Sequence, residues 1–289
     1  MRFPDFYVIG PHKTATTWLY NVLAEHPLIS RGYLKETFYF TEIYEGQNRA
    51  FARRMRLRAL QDAIGEQLAG TGVIDQRRLD VLATYGLPDS LTDAAYAALY
   101  NGASPDKLVF DCTPSTHRIS VEGIEHLKRL SPQAKIVIIL RNPLDRLVSM
   151  IGHRLAAHSL STGTKEITTE MTAAAFRHVA NLEDYHSWMP RWHQAFSSEN
   201  LHCSFFEDLH DGQRGVDALC AFLGVDPRLA VFPSIGDVIG ARSIRWQPDP
   251  EMLAALYRLA RPSLDYLAEK VGGHALRWRQ EAATVYATR

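Results

Sequence analysis

The chain has 289 residues, 46% of them hydrophobic and 22% charged, ordinary proportions for a globular protein with a sizeable core. Its 32 basic and 32 acidic residues cancel to a formal net charge of zero, so no global field points to nucleic acid or to an anionic membrane surface. Any anion site must be a local gathering of donors.

The first predicted element is a buried strand over Phe6–Gly10, followed by a helix over Thr16–His26 with Trp18, Leu19, Val22 and Leu23 on one face. "KETFYF", from Lys35, reads as a short strand or extended segment. From Tyr44 to about Asn101 the pattern is helical, with breaks at Gly70 and Gly86. "KLVFD" and "KIVIILR" are continuous apolar runs of strand length, as expected of parallel strands covered on both faces. A helix from Asn142 to about His158 leads into the polar stretch "HSLSTGTKEITTEMT", which reads as a mobile loop. Helices at Thr172–Asn181 and Glu183–Ser198, a strand "LHCSFF" and a helix at Gly215–Leu223 follow. The tail is helical up to Gly272, with Pro262 expected to split or kink it. Strands alternating with helices, without repeats or a low-complexity linker, predict one α/β domain over residues 1–289 with a parallel sheet and a helical insert at about 44–101.

The apolar runs are far shorter than a membrane span, and the amino terminus enters a strand with no signal-peptide pattern before it. Cys112, Cys203 and Cys220 are scattered, without metal spacing, and suit a reducing compartment. The expectation is a cytoplasmic protein with no transmembrane segment. The sequence is silent on its oligomeric state.

Two stretches carry chemistry. In "IGPHKTATTWL" a strand ends in Gly10 and a short loop leads into a helix. Such a junction presents unpaired backbone N–H groups and the positive end of the helix dipole. Lys13 adds a charge, and Thr14, Thr16 and Thr17 add hydroxyls, which suits a tetrahedral oxyanion. Against the ATP-binding pattern G-x-x-x-x-G-K-[ST], Gly10 and Thr17 fit the ends. Ala15 holds the second glycine position, Thr16 holds the lysine position, and the lysine comes earlier, at Lys13. The alternative is a polar turn with a surface lysine.

In "ILRNPLDRLVS", Arg141 stands at the carboxyl end of a buried strand, where open α/β sheets bind ligands. Asn142 is suited to cap a helix, Pro143 to begin it and Asp145 to complement its dipole. Arg141 offers a planar fork to a phosphate and Ser149 a hydroxyl, while Arg146 is free to pair with an acidic neighbour. An ordinary capped helix with surface arginines has the same pattern.

Taken together, "GPHKTATTWL" and "ILRNPLDRLVS" resemble the 5′-phosphosulfate loop and the 3′-phosphate motif of sulfotransferases that use 3′-phosphoadenosine-5′-phosphosulfate. "KETFYF" and "FFEDLHDGQRGVDALCAFLGVD" are similar to further segments of the carbohydrate branch, so the resemblance covers roughly Phe6–Asp226. It implies a three-layer, P-loop-like fold with a central parallel sheet. By the same resemblance Lys13, Thr14, Ala15, Thr16 and Thr17 would hold the 5′-phosphosulfate, and Arg141 and Ser149 the 3′-phosphate. Glu36 would be the general base, with Lys13 supporting the leaving phosphate. "GARSIRWQP" resembles a basic loop over the cofactor, which makes Arg242, Ser243 and Arg245 candidates. Two departures stand out in "FDCTPST": Cys112 replaces a lysine of the pattern, and Thr116 replaces a tyrosine.

The resulting expectation is sulfuryl transfer to a hydroxyl of a carbohydrate, lipid or small molecule, with no metal and no nucleic-acid partner. His12 and Asp111 are alternative bases, and Asp111 has a second reading as a strand-end residue that organises Thr113. The run "RRMRLR" from Arg53 reads as a solvated helix face, or as contacts to an anionic acceptor. Trp188 and Trp192, four apart on one helix face, read as core. A nucleotide kinase, or a nucleotide-binding module without activity, are the rival functions.

Overall fold

A computed structural model describes residues 1–45, 49–70, 75–88, 90–164, 166–182, 184–210, 213–230 and 246–286. In chain order the elements begin with β1 (Phe6–Val8), α1 (Thr16–Glu25), β2 (Ile29–Arg31), α2 (Tyr39–Tyr44), α3 (Arg49–Ala69), α4 (Gln76–Gly86), α5 (Asp93–Ala98), β3 (Leu108–Cys112), α6 (Val121–Leu130) and β4 (Lys135–Leu140). They continue with α7 (Pro143–Thr162), α8 (Thr169–Ala180), α9 (Tyr185–Ala195), β5 (Leu201–Phe205), α10 (Phe206–His210), α11 (Gln213–Leu223), α12 (Pro250–Lys270) and α13 (His274–Tyr286). Chain contacts group these into two compact units, Met1–Ile139 with Arg191–Asp237, and Leu140–Pro190 with Val238–Arg289.

The first unit is built on a five-stranded sheet of order β2-β3-β1-β4-β5. β1 runs parallel to both β3 and β4, and β2 runs parallel to β3. Period-two alternation splits the strand residues between two apolar faces. Phe6, Val8, Phe110, Cys112, Val137 and Ile139 share one cluster with residues of α1 and α11. Tyr7 takes the opposite side, its ring against Phe40 of α2 and its hydroxyl 3.0 Å from Ser131. Helices therefore cover both faces, and the fold is the expected three-layer, P-loop-like α/β arrangement. The chain leaves β1 toward β2 and β3 on one side, and later supplies β4 and β5 on the other. The carboxyl end of β1 is thus a topological switch point, where open sheets leave a crevice.

The region from Tyr44 to about Asn101 is helical, as expected, through α3, α4 and α5, but the run "RRMRLR" is not a uniformly solvated face. Arg56 is wholly buried and donates to both carboxylate oxygens of Glu42 at 2.8 and 3.1 Å. It also donates to the carbonyls of Tyr85, Gly86 and Pro88 at 2.7, 2.6 and 3.2 Å. One guanidinium so ties α2, α3 and the end of α4 together. The end of α4 also packs closely on α3: a Cβ at Gly86 would lie 2.2 Å from the Leu60 side chain, which would have to shift. Trp192 is fully buried in this unit, with its indole N–H donating to the His117 carbonyl at 2.8 Å.

In the second unit Asn142 caps α7 by accepting from the Leu144 N–H at 3.0 Å, and Pro143 opens the helix. Arg146 does pair with an acidic neighbour, Asp184, at 2.7 Å in a buried bridge. Trp188 is core, as expected. The polar stretch expected as a mobile loop is mostly helical. α7 continues to Thr162, where Ser161 and Thr162 hydroxyls donate to the His158 carbonyl, and Gly163 closes it at φ 72°. Thr168 then caps α8 through the Met171 N–H. Pro262 does not split α12. Both Pro262 and Arg258, whose carbonyl loses its helical donor, are exposed, so water can replace the missing bond. Among the described residues, no helix is long and apolar enough to cross a membrane.

Candidate active site

The loop between β1 and α1 is shaped by its backbone. Gly10 has φ 100°, and a Cβ there would lie 2.3 Å from the Pro114 carbonyl oxygen, so only glycine fits. Lys13 and Ala15 are left-handed, at φ 70° and 69°, on either side of Thr14. Left-handed residues alternating with ordinary ones turn successive N–H groups toward one side, the geometry of an anion nest. Each costs about 1–2 kcal/mol for a residue with a Cβ, a strain of the kind concentrated at functional sites. Ala15, in the second glycine position of the ATP-binding pattern, thus stands where a glycine would relax. No side chain caps α1, and its first turn has no acidic residue, so its dipole is not neutralised from within. These features fit a bound phosphosulfate.

The threonines divide their work. Thr14 is buried, and its hydroxyl donates to the Pro11 carbonyl at 2.7 Å, holding the turn. Its hydroxyl is therefore spent inside the loop, contrary to the expectation that it faces an anion. Thr16 is largely buried as well. Thr17 is exposed, and its hydroxyl oxygen accepts from the Lys35 ammonium at 2.9 Å.

That ammonium also meets Glu36, donating to Oε1 at 2.9 Å. Lys35 therefore brings the loop and the candidate base to one place. The segment carrying them was expected as a short strand or extended run, but the chain bends at Lys35, Phe38 is left-handed at φ 59°, and α2 begins at Tyr39. It is anchored immediately beyond Glu36. The Thr37 N–H donates to the Thr113 hydroxyl at 2.9 Å, and its carbonyl accepts from Tyr85 at 2.7 Å. Its hydroxyl donates to Asp111 Oδ2 at 2.7 Å, an oxygen that also accepts from Tyr96 at 2.7 Å. Asp111 Oδ1 accepts from Thr113 at 2.5 Å. Burial pushes the Asp111 carboxyl up, and the hydroxyls of Thr113, Thr37 and Tyr96 pull it back. Asp111, one of the alternative bases, is thus the organiser of Thr113 and Thr37 at the strand end. Burial likewise pushes the Cys112 thiol far up, opposed by the charge of Lys35.

Lys35 and Glu36 line a cleft of about 820 Å³ in the first unit. Its other walls come from α1, the end of β2, α3 and the start of α4. Sequence reasoning treated Lys35 only as a neighbour of Glu36, and did not single out Arg31, Arg78 or Thr37. Their signals were weak. β2 is three residues long, and an anchoring threonine beside a charged pair looks like any polar strand end.

The other predicted group lies in the second unit. The Arg141 N–H donates to the hydroxyl of the buried Tyr185 at 3.1 Å, which fixes the backbone at the head of α7. The Arg146 guanidinium lies 5.5 Å from the centre of the same ring. Ser149 is buried, two turns along α7. Arg242, Ser243 and Arg245 fall outside the described residues.

Comparison with known proteins gives these features a context. The chain is 29% identical over 160 residues to the bifunctional heparan sulfate N-deacetylase/N-sulfotransferase 1 of Xenopus laevis, covering 54% of this chain and 13% of that protein. It therefore spans only a small part of the curated relative's length. Among solved structures, a sulfotransferase from Alicyclobacillus acidocaldarius matches with a TM-score of 0.63 at 20% identity, covering 96% of this chain and 100% of that one. The sulfotransferase domain of the Synechococcus PCC 7002 olefin synthase matches at 0.52 and 16% identity, covering 89% and 93%. At those identities the structural likeness speaks for the fold. The model of the sulfotransferase family matches residues 4–228, and the chain belongs to that family.

Proposed function

We propose that the protein moves a sulfuryl group from 3′-phosphoadenosine-5′-phosphosulfate to a hydroxyl of a carbohydrate, lipid or small-molecule acceptor. The observation that carries this reading is the Lys35 ammonium, 2.9 Å from both the Thr17 hydroxyl of the oxyanion loop and the Glu36 carboxylate. The donor supplies a sulfuryl group activated by a phosphate leaving group. Lys13, the N–H groups around Thr14 and Ala15, and the start of α1 at Thr16 and Thr17 hold its 5′ end. Arg141 and Ser149 hold the 3′-phosphate, and Arg242, Ser243 and Arg245 are assigned to the covering loop.

Glu36 takes the acceptor's hydroxyl proton as its oxygen bonds to sulfur and the bond from sulfur to the phosphate oxygen breaks. A positioned base of this kind contributes about 10²–10⁴-fold in rate. Lys13 stabilises the charge growing on the leaving phosphate, where a fixed cation acts most strongly. Lys35 takes the part of the lysine that the family pattern has at position 112. Its ammonium bonds Thr17, and the Cys112 thiol lies 3.6 Å from the carbonyl of the adjacent Thr16, so the two stand at one corner of the loop. The chemistry needs positioning and fixed charge, and we assign it no metal.

The same reading treats residues 1–289 as a single sulfotransferase domain with an insert at about 44–101, supported by a family match that runs through parts of both compact units. The three free thiols favour a cytoplasmic location. The test is a thermal-shift assay with adenosine 3′,5′-bisphosphate, AMP and ATP, with and without magnesium. A ligand at a hundredfold over its dissociation constant stabilises the fold by about 2.7 kcal/mol. The bisphosphate should give that shift in the presence of EDTA, and AMP much less. Equal shifts with AMP would remove the 3′-phosphate site, and a larger, magnesium-dependent shift with ATP would favour a nucleotide kinase.

A further inference from the structure

We infer that the acceptor carries an anionic group beside the hydroxyl it presents to Glu36, and that Arg31, Arg58 and Arg78 recognise it. The inference rests on the reading of Glu36 as the base, since the cleft that contains Glu36 is then the acceptor's. Three elements deliver these arginines to that one cleft: the end of β2, the middle of α3 and the first turn of α4.

Three other arginines of this unit are engaged with carboxylates. Arg56 is spent on Glu42, Arg118 on Glu45 at 3.0 Å, and Arg228 on Asp226 at 2.7 Å. Arg31, Arg58 and Arg78 form no ion pair with any carboxylate among the described residues. The carboxylates that share the cleft do not neutralise them. Glu36 is paired with Lys35, and Asp75 accepts from the Arg78 backbone N–H as the cap of α4. That leaves Asp62 and Glu66, both exposed on α3, against three guanidiniums.

Arg78 is the most telling of the three. Its side chain is half-buried, and its Nε–H is shielded from water with no acceptor among the described residues. Tyr20 lines the same cleft: burial raises its pKa, and the charge of Arg31, a hydrogen bond with Arg31 and the charge of Arg78 oppose that rise. A planar, weakly hydrated guanidinium offers two parallel N–H donors, the match for a carboxylate, sulfate or phosphate. The ligand class is therefore a hydroxyl compound bearing one of these groups. A neutral lipid or a neutral alcohol would offer the exposed Arg31 and Arg58 guanidiniums no more than water does, and would leave the shielded Arg78 Nε–H without an acceptor.

The experiment is isothermal titration of the protein, first saturated with adenosine 3′,5′-bisphosphate so that both phosphate sites are filled. The probes are p-nitrophenyl β-glucuronide and p-nitrophenyl β-glucoside, which share an aryl group and hydroxyls and differ in one carboxylate. The glucuronide should bind about tenfold or more tightly, the usual scale for a charge-assisted contact. Arg31→Gln and Arg78→Gln should each erase most of that preference and leave glucoside binding unchanged. Each variant's affinity for the bisphosphate serves as the check that it has folded. Equal affinity for the two probes, absence of binding by either, or a preference that survives both substitutions would overturn the inference. Failure of the underlying sulfotransferase reading would show separately, as loss of bisphosphate binding by the wild-type protein.

Discussion

Replacing Arg56 by methionine tests how the insert is held. The guanidinium is wholly buried, and its partner Glu42 is 2% exposed, so the pair has little access to water. Methionine fills much of the space but removes five donor contacts, two to Glu42 and three to the carbonyls of Tyr85, Gly86 and Pro88. Breaking a buried pair by removing one partner costs about 3–5 kcal/mol, because the other charge stays buried alone. Against a total stability of about 5–15 kcal/mol this is a large fraction. At roughly 2–4 °C per kcal/mol the melting midpoint should fall by about 10 °C. Urea unfolding of Arg56→Met, Glu42→Leu and the double variant measures the coupling directly. The double variant should lose at least about 2 kcal/mol less than the sum of the two single changes, since no charge is then stranded. A single-variant cost below about 1 kcal/mol, or simple additivity, would refute the claim that this guanidinium clamps α2, α3 and α4.

Three further outcomes follow from the same geometry. Arg141→Ala should weaken binding of adenosine 3′,5′-bisphosphate by about 1.5–3 kcal/mol, the scale of a hydrogen bond to a charged group, and calorimetry showing normal binding would displace the 3′-phosphate from Arg141. Ala15→Gly should raise stability by about 0.5–1 kcal/mol, because relief of a left-handed Cβ at φ 69° exceeds the entropy glycine costs, and urea unfolding showing a loss would contradict that strain. The cysteines should resist iodoacetamide in the folded protein at pH 8, since burial pushes Cys203 up to about 12 and Cys220 up to about 11, and drives Cys112 upward too. Rapid labelling of Cys112 by mass spectrometry would reopen a reactive role for it.

What was legible in the sequence were the elements with strong local signatures. β1, β3 and β4 are continuous apolar runs, and the Asn-Pro start of α7 announces its own cap. β2 was not, because three residues carry too little pattern, and its place at the sheet edge depends on pairing with β3, about eighty residues later in the chain. Serine and threonine favour caps and turns, which is why 158–172 read as a loop. There they instead bond back to carbonyls one turn earlier and extend α7. For the site, the motif residues could be named, but their division of labour could not. Whether Thr14 faces a ligand or the Pro11 carbonyl is a matter of χ angles, and whether Arg56 or Arg58 is buried depends on which way α3 turns.

The measurement that bears most directly on the central claim is acceptor sulfation by Glu36→Gln beside its dissociation constant for adenosine 3′,5′-bisphosphate. Glutamine keeps the size of the side chain and an acceptor for the Lys35 ammonium, 2.9 Å away in the wild type. The pair it replaces is about a quarter exposed, so its loss should cost no more than about 1 kcal/mol of stability. Transfer from a labelled sulfate donor, assayed in EDTA across a panel of hydroxyl compounds, should fall about 10²–10⁴-fold, while the bisphosphate constant stays within about twofold of wild type. Near-normal transfer by the variant would contradict the account and move the base elsewhere, and lost bisphosphate binding would make Glu36 a structural residue.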